Sequence, residues 1–231
     1  MSKIDAVLFD KDGTLFDFSA TWDTWAAGVI ADFAGGDMAL ARLLAEGARY
    51  DLDARRFLPD SPVIAGTNRE AAECFAVALP DWSLAEIEAH LSTAAATAPL
   101  AQAVPLEPFL TGLRGLGLRL GVMTNDAEAV AHAHLGQAGV SALFDFVAGF
   151  DSGFGGKPSP EPLWAFCDHI GCDPSRTIMV GDSTHDLVAG RAAGMGTVGV
   201  LTGLATEADL SPLADVVLPH IGYLTDWVSA R

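Results

Sequence analysis

Short apolar runs rich in Val, Leu, Ile and Phe recur along the chain at 4–9, 118–124, 144–148, 177–181, 197–201 and 215–218. Each has the length of a strand, and the lack of polar alternation within them suits a sheet covered on both faces. Between the later runs, 127–138, 160–170 and 184–193 carry helical spacing, with room for about three turns each. Strand alternating with helix predicts right-handed crossovers and a parallel, Rossmann-like sheet flanked by helices.

The first run is separated from the second by roughly a hundred residues, far more than a strand-to-helix connection needs. The intervening segments 18–33, 38–50, 68–78 and 84–97 are Ala-rich and helix-like, and none of the block reads as strand. Capping-box patterns stand at Thr67-x-x-Glu70 and Ser83-x-x-Glu86. The expected organisation is therefore an α/β core made of 1–17 and 102–231, with an all-α cap, 18–101, inserted after the first strand. The Ala-biased stretch 94–103 is a candidate hinge, and Pro105 and Pro108 mark the start of the next core helix.

Half of the 231 residues are hydrophobic and 19% are charged, enough for a large core and too little charge for disorder. Thirteen Lys and Arg against thirty Asp and Glu leave a net charge of −17, which repels nucleic acid and anionic membranes. The same field opposes a small anionic substrate unless the site supplies positive charge or recruits a metal ion. Cys74, Cys167 and Cys172 are odd in number and lack C-x-x-C spacing, which argues against a disulfide framework or a zinc site and fits a reducing compartment. The apolar residues 6–9 are interrupted at once by Asp10, Lys11 and Asp12, unlike a signal peptide, and no apolar stretch is long enough to span a bilayer. A cytoplasmic monomer or homodimer is expected.

The densest chemistry lies just beyond the strands. Val7-Leu8-Phe9 leads into Asp10-Lys11-Asp12-Gly13, and Gly121-Val122-Met123 into Thr124-Asn125-Asp126. The run 144–148 leads through a Gly-rich loop to Lys157-Pro158, and Met179-Val180-Gly181 into Asp182-Ser183-Thr184-His185-Asp186. Any one of these could be a turn or a helix cap, and Asn125 and Ser183 also read as caps. In an open parallel sheet, however, ligands bind beyond the carboxyl ends of the strands. Two acid pairs, a hydroxyl with an amide and a lysine would then converge on one rim, supplying metal ligands and anion-binding groups together.

This set resembles the haloacid dehalogenase superfamily, in its phosphatase branch with a helical cap after the first motif, and most of all the phosphoglycolate phosphatase group. Asp10-Lys11-Asp12-Gly13-Thr14-Leu15, Thr124-Asn125, Gly156-Lys157-Pro158 and Gly181-Asp182-Ser183-x-x-Asp186 match its four motifs in order and spacing. The resemblance implies that Asp10 is the nucleophile, forming an aspartyl-phosphate, and Asp12 the general acid and then base. It implies that Thr124, the Asn125 amide and Lys157 hold phosphoryl oxygens. Mg²⁺ would be bound by Asp10, the Asp12 carbonyl and Asp182, with Asp186 ordering metal-bound water or Lys157. The partner would be a small phosphorylated metabolite.

Related activities compete with this reading. A sugar-phosphate mutase shares nearly every motif and differs mainly in its cap, whereas a dehalogenase needs neither Asp12 nor Mg²⁺. A phosphoryl-binding regulatory domain would not need Asp10, Asp12, Lys157 and Asp182 together. Lys11, where the family commonly has an apolar residue, is either a surface lysine or a group at the site entrance. His185 reads as a residue packed beside a helix start, and His132 and His134 as unsuited to joint metal ligation. Trp22 is close enough to the cap entrance to line a substrate. In the cap, Arg55-Arg56 is the one adjacent basic pair; surface ion pairing with Asp51, Asp53 or Asp60 is its ordinary reading, and pairing with a substrate carboxylate the sharper one.

Overall fold

The computed structural model describes residues 3–64 and 66–230. Six strands, β1 (Ala6–Phe9), β4 (Arg119–Met123), β5 (Phe146–Ala148), β6 (Thr177–Gly181), β7 (Gly196–Val200) and β8 (Val216–Leu218), form one sheet in the order β5-β4-β1-β6-β7-β8. All neighbouring pairs are parallel. The six apolar runs are the six strands, with ends shifted by a residue or two. The chain builds outward from β1 on one side through β4 and β5, then crosses back to β6, so the ends of β1, β4 and β6 adjoin at the reversal where such sheets bind ligands.

Alternation along β1 divides the core. Val7 and Phe9 face one layer, packing with Leu106, Leu110 and Leu113 of α5 (Leu106–Gly115) and with Leu224 of α10 (Leu224–Ser229). Ala6 and Leu8 face the other, with Leu163 and Phe166 of α7 (Glu161–Ile170) and Ala189 and Ala193 of α8 (Thr184–Ala193). Two further helices, α6 (Glu128–Gln137) and α9 (Glu207–Leu210), complete this part of the chain.

The inserted block contributes α1 (Phe18–Ala34), α2 (Met38–Gly47), α3 (Asn68–Ala76) and α4 (Leu84–Ala96). Trp25, Ile30, Leu44, Phe75, Ile87 and Leu91 form its interior, which extends to Val130 on α6. Both capping boxes form: the Glu70 carboxylate accepts the Thr67 amide at 2.7 Å, and Glu86 that of Ser83 at 2.8 Å. One expectation fails. The block holds a hairpin, β2 (Tyr50–Asp51) paired antiparallel with β3 (Arg56–Phe57), and α2 stops at Gly47 to admit it. The Asp51 carboxylate accepts the amides of Asp53 and Ala54, folding the turn locally, and the Tyr50 and Phe57 rings pack 5.3 Å apart. Strands of two residues are too short to show alternation. The three cysteines are free, and no helix among the described residues is long and apolar enough to cross a membrane.

Asp145 ties the edge of the sheet together, accepting the Leu120 amide at 2.9 Å and lying 3.1 Å from the guanidiniums of Arg114 and Arg119. Burial alone would raise its pKa; the Leu120 amide and the arginines outweigh it and hold the carboxyl below its usual range. A depressed folded pKa contributes stability above the unfolded value near 3.9, lost as pH falls through the folded one. Asp145→Ala is expected to cost about 1–2 kcal/mol in urea melts at neutral pH. The gap to wild type should narrow toward about pH 3; a gap independent of pH would remove the carboxylate's charge from this account.

Candidate active site

The structure brings seven of the predicted residues to one cleft: Asp10, Asp12, Thr124, Asn125, Lys157, Asp182 and Asp186. Local backbone grammar explains each placement. The Asp10 amide still donates to Val180 O at 2.8 Å, so the acid stands one step beyond β1 in sheet register. Gly13, at φ 79°, turns the chain away and leaves no room for a β-carbon beside the Asp182 carboxylate. Thr124 is tied to β5 through Ala148 O.

Asn125 is not a helix cap, contrary to expectation. Its side-chain oxygen accepts the Lys157 amide at 2.8 Å and its nitrogen donates to the Lys157 carbonyl at 2.9 Å, a reciprocal clamp that fixes the loop carrying the lysine. Ser183 does cap α8, accepting the Asp186 amide, while Asp186 Oδ2 accepts the Ser183 amide and hydroxyl at 3.0 and 2.7 Å. The other oxygen of Asp186 accepts Lys157 Nζ at 2.6 Å.

Lys157 Nζ also lies 2.5 Å from Asp10 Oδ1. Burial opposes its charge, yet Asp10 and Asp186 outweigh burial and raise its pKa. For Asp10 the balance runs the other way: burial, with Asp186 and Asp12 adding to it, overcomes the pull of Lys157 and pushes the acid up to about 7. Asp182 is raised well above its ordinary value by burial, Asp10 and Asp186. Among the described residues no lysine or arginine forms an ion pair with it; Thr14 donates to it at 3.4 Å, and the charge of Lys157 opposes the shift without cancelling it.

Three buried carboxylates, Asp10, Asp182 and Asp186, present oxygens within 4.8 Å of one another. One ammonium cannot offset them all, and hard oxygen donors at this spacing fit a small divalent cation. Asp182 is held in place sterically, since a β-carbon on Gly13 or Gly203 would overlap its carboxylate.

Lys11 is neither a surface residue nor a group at the entrance. It is fully buried, 2.6 Å from Asp12 Oδ2, 3.0 Å from His134 Nδ1 and 3.3 Å from Asp126 Oδ2. Burial would lower its pKa, and Asp12 and Asp126 outweigh this; burial in turn pushes Asp126 up to about 6. Neither His134 nor Asp126 is marked by its local sequence as a partner of Lys11. A signal existed for the burial of the first, because buried Val130, Ala131 and Leu135 put His134 on the inward stripe of α6.

Above the acids the cleft is walled by Phe18, Trp22, Trp25, Val63 and Ile64, with Thr67 and Asn68 beside them. His185 lines the core side. Arg55 and Arg56 do not reach the cleft; both are exposed on the hairpin, and Arg49 takes the ion pair with Asp60.

Residues 4–194 match the family model described as haloacid dehalogenase-like hydrolase, and the chain belongs to that family. Pyrophosphatase PpaX of Bacillus velezensis is 41% identical over 91 residues, 39% of this chain and 42% of that protein. The phosphoglycolate phosphatase of Xanthomonas campestris pv. campestris is 32% identical over 218 residues, 92% of this chain and 91% of the relative. The chain spans under half the length of the relatives it matches at 40–41% identity. Among solved structures, a HAD phosphatase from Thermococcus onnurineus aligns at 22% identity with a TM-score of 0.69 over 99% of both chains. The L-2-haloacid dehalogenase of Xanthobacter autotrophicus aligns at 20% with a TM-score of 0.67, again over 99% of both. These two likenesses are of fold, which phosphatase and dehalogenase share.

If Lys157 is what permits Asp10 and Asp186 to be buried side by side, Lys157→Met should lower stability by about 3–5 kcal/mol in urea melts with chelator present. Adding Asp186→Asn to that variant should recover part of the loss. A Lys157→Met protein as stable as wild type would show that the acids are compensated in some other way.

Proposed function

We propose that this chain is a Mg²⁺-dependent phosphatase of small phosphomonoesters that works through an aspartyl-phosphate. The observation that carries the reading is the shared position of Asp10: buried at the end of β1, bonded to Lys157, and grouped with Asp182 and Asp186. Asp10 attacks phosphorus, the bond from phosphorus to the ester oxygen breaks, and Asp12 gives the departing alkoxide a proton. Asp12, now a carboxylate, takes a proton from the water that attacks the phosphoenzyme, and inorganic phosphate leaves as Asp10 is regenerated. Thr124, the Asn125 amide and Lys157 orient the phosphoryl oxygens and offset their charge.

Asp10, Asp182 and the Asp12 carbonyl would hold Mg²⁺, with Asp186 supporting them; when bound, the ion supplies positive charge for the phosphoryl group. That local charge, with Lys157, answers the net −17 of the chain. A dehalogenase reading leaves Asp12 without a task. A mutase would return the phosphoryl group to a sugar rather than to water, so free phosphate as the stoichiometric product separates the two.

Phosphoglycolate is the first substrate to try, because the relative matched over 92% of this chain carries that name. The cleft itself supports a second reading. Its wall is apolar and neither Arg55 nor Arg56 reaches it, which suits an uncharged leaving group. Comparing kcat/KM for phosphoglycolate and propyl phosphate decides the matter: the first reading requires phosphoglycolate to lead, and a tenfold or greater advantage for propyl phosphate would replace it.

Phosphate release from p-nitrophenyl phosphate is expected with Mg²⁺ and should disappear with chelator. Full turnover after exhaustive chelation would remove the metal from the mechanism. Asp10→Asn should abolish turnover in a folded protein. Asp12→Asn should lower it by about 10²–10⁴ and prolong the phosphoenzyme, seen as acid-stable label from a ³²P-labelled ester. Wild-type rates in a folded Asp10→Asn variant would end the aspartyl-phosphate account.

A further inference from the structure

We propose that Lys11 is a positioning residue for Asp12 and that His134 links it to the inserted helical block. This rests on the phosphatase reading above, in which Asp12 moves the proton. The Lys11 ammonium is fully buried, and groups from four places surround it. Asp12 Oδ2 lies at 2.6 Å, His134 Nδ1 at 3.0 Å and Asp126 Oδ2 at 3.3 Å, and the Trp22 ring centroid is 5.3 Å away.

His134 has its donor and acceptor roles fixed by its partners. Nε2 lies 2.8 Å from the Ala95 carbonyl, which only accepts, so Nε2 carries the proton. Nδ1 is then a lone pair turned to the Lys11 ammonium, which only donates. Ala95 belongs to α4 and Trp22 to α1, while Asp12, Asp126 and His134 belong to the α/β part. One ammonium therefore touches groups anchored in both parts of the molecule.

The consequence falls on Asp12. Its Oδ2 is held against Lys11, whereas its Oδ1 is buried and has no hydrogen-bond partner among the described residues, in a side chain that lines the cleft. Holding one oxygen fixes the direction of the other, and Oδ1 is the atom left to exchange a proton with the leaving group and with water. A displacement of about 1 Å at such a group costs on the order of 10² in rate. Because Trp22 of α1 meets both Lys11 and His134, and Ala95 of α4 meets His134, a displacement of the helical block would shift the aim of the acid.

The test uses the demand of the leaving group for a proton. Nitrophenolate departs without one; an alkoxide does not. Alcohol release in a single turnover would be measured with p-nitrophenyl phosphate and with whichever of phosphoglycolate and propyl phosphate the enzyme turns over faster. Lys11→Met should slow the alkyl ester by about 10² and the nitrophenyl ester at least tenfold less, with KM little changed, reproducing the ratio seen in Asp12→Asn. His134→Leu should show the same asymmetry in weaker form. His134→Gln, whose amide can donate to Ala95 and accept from Lys11, should restore the alkyl rate. Should Lys11→Met fail to fold, the His134 pair decides, since it leaves every charge in place. Equal losses on the two esters in folded variants, or no rescue by His134→Gln, would overturn the assignment while leaving the phosphatase reading intact. A wild-type enzyme inactive on all these esters would overturn that reading and this inference with it.

Discussion

The ammonium of Lys157 is the interaction on which the rest of this site depends. It reaches Asp10 and Asp186 at 2.5 and 2.6 Å from a loop that belongs to neither β1 nor α8. Without a cation between them, two carboxylates at the rim of a buried sheet would have to take up protons or move into water, because desolvated like charges repel strongly. Even with it, compensation is incomplete: Asp182 forms no ion pair with a lysine or arginine among the described residues, and Asp10 is pushed up to about 7, chiefly by burial. The protein thus buries more carboxyl groups at one point than a single lysine can keep ionised, an arrangement that favours whatever brings positive charge to it, a proton or a metal ion.

The helical insertion meets the core in a way that keeps this point enclosed. Where the chain leaves and re-enters the sheet, Asp17 donates its amide to Ala101 O at 2.8 Å and Ala103 to Leu15 O at 2.9 Å, so the two connecting segments run side by side. The Asp17 side chain then caps α1. A paired crossing of this kind resists twisting more than two separate linkers would, and it directs Trp22 and Trp25 over the acids. The low-dielectric wall so formed strengthens every charge interaction beneath it.

Strand positions, the order of the four motifs and the helical character of the insertion were legible in the sequence because each rests on local pattern: apolar runs of strand length, and acid or hydroxyl groups directly after them. The hairpin at Tyr50–Asp51 and Arg56–Phe57 was not, since two residues per strand carry no periodicity. Asn125 looked like a cap because of its residue type, and its clamp on Lys157 joins positions 32 residues apart. Lys11 was misplaced for a related reason. A lysine between two acids suggests a solvated turn, and only the fold brings Asp126 and His134 around it to make burial tolerable. Arg55 and Arg56 were chosen as an adjacent pair, but adjacency along the chain says nothing of which face a turn presents.

Asp186 shows why fold and site cannot be separated here. As the fourth residue of Ser183-Thr184-His185-Asp186 it completes an ordinary capping box, with Oδ2 bound to the Ser183 amide and hydroxyl. Those bonds satisfy donors that the first turn of α8 would otherwise leave open, and a negative charge there is favoured by the helix dipole. The same bonds fix the carboxylate so that Oδ1 meets Lys157. Gly181 is required for this geometry, since a β-carbon at that position would overlap the Asp186 side chain. The carboxylate that closes the capping box of the helix therefore also holds the lysine, and through it Asp10. Local helix stability and the placement of Asp10 are two consequences of one carboxylate.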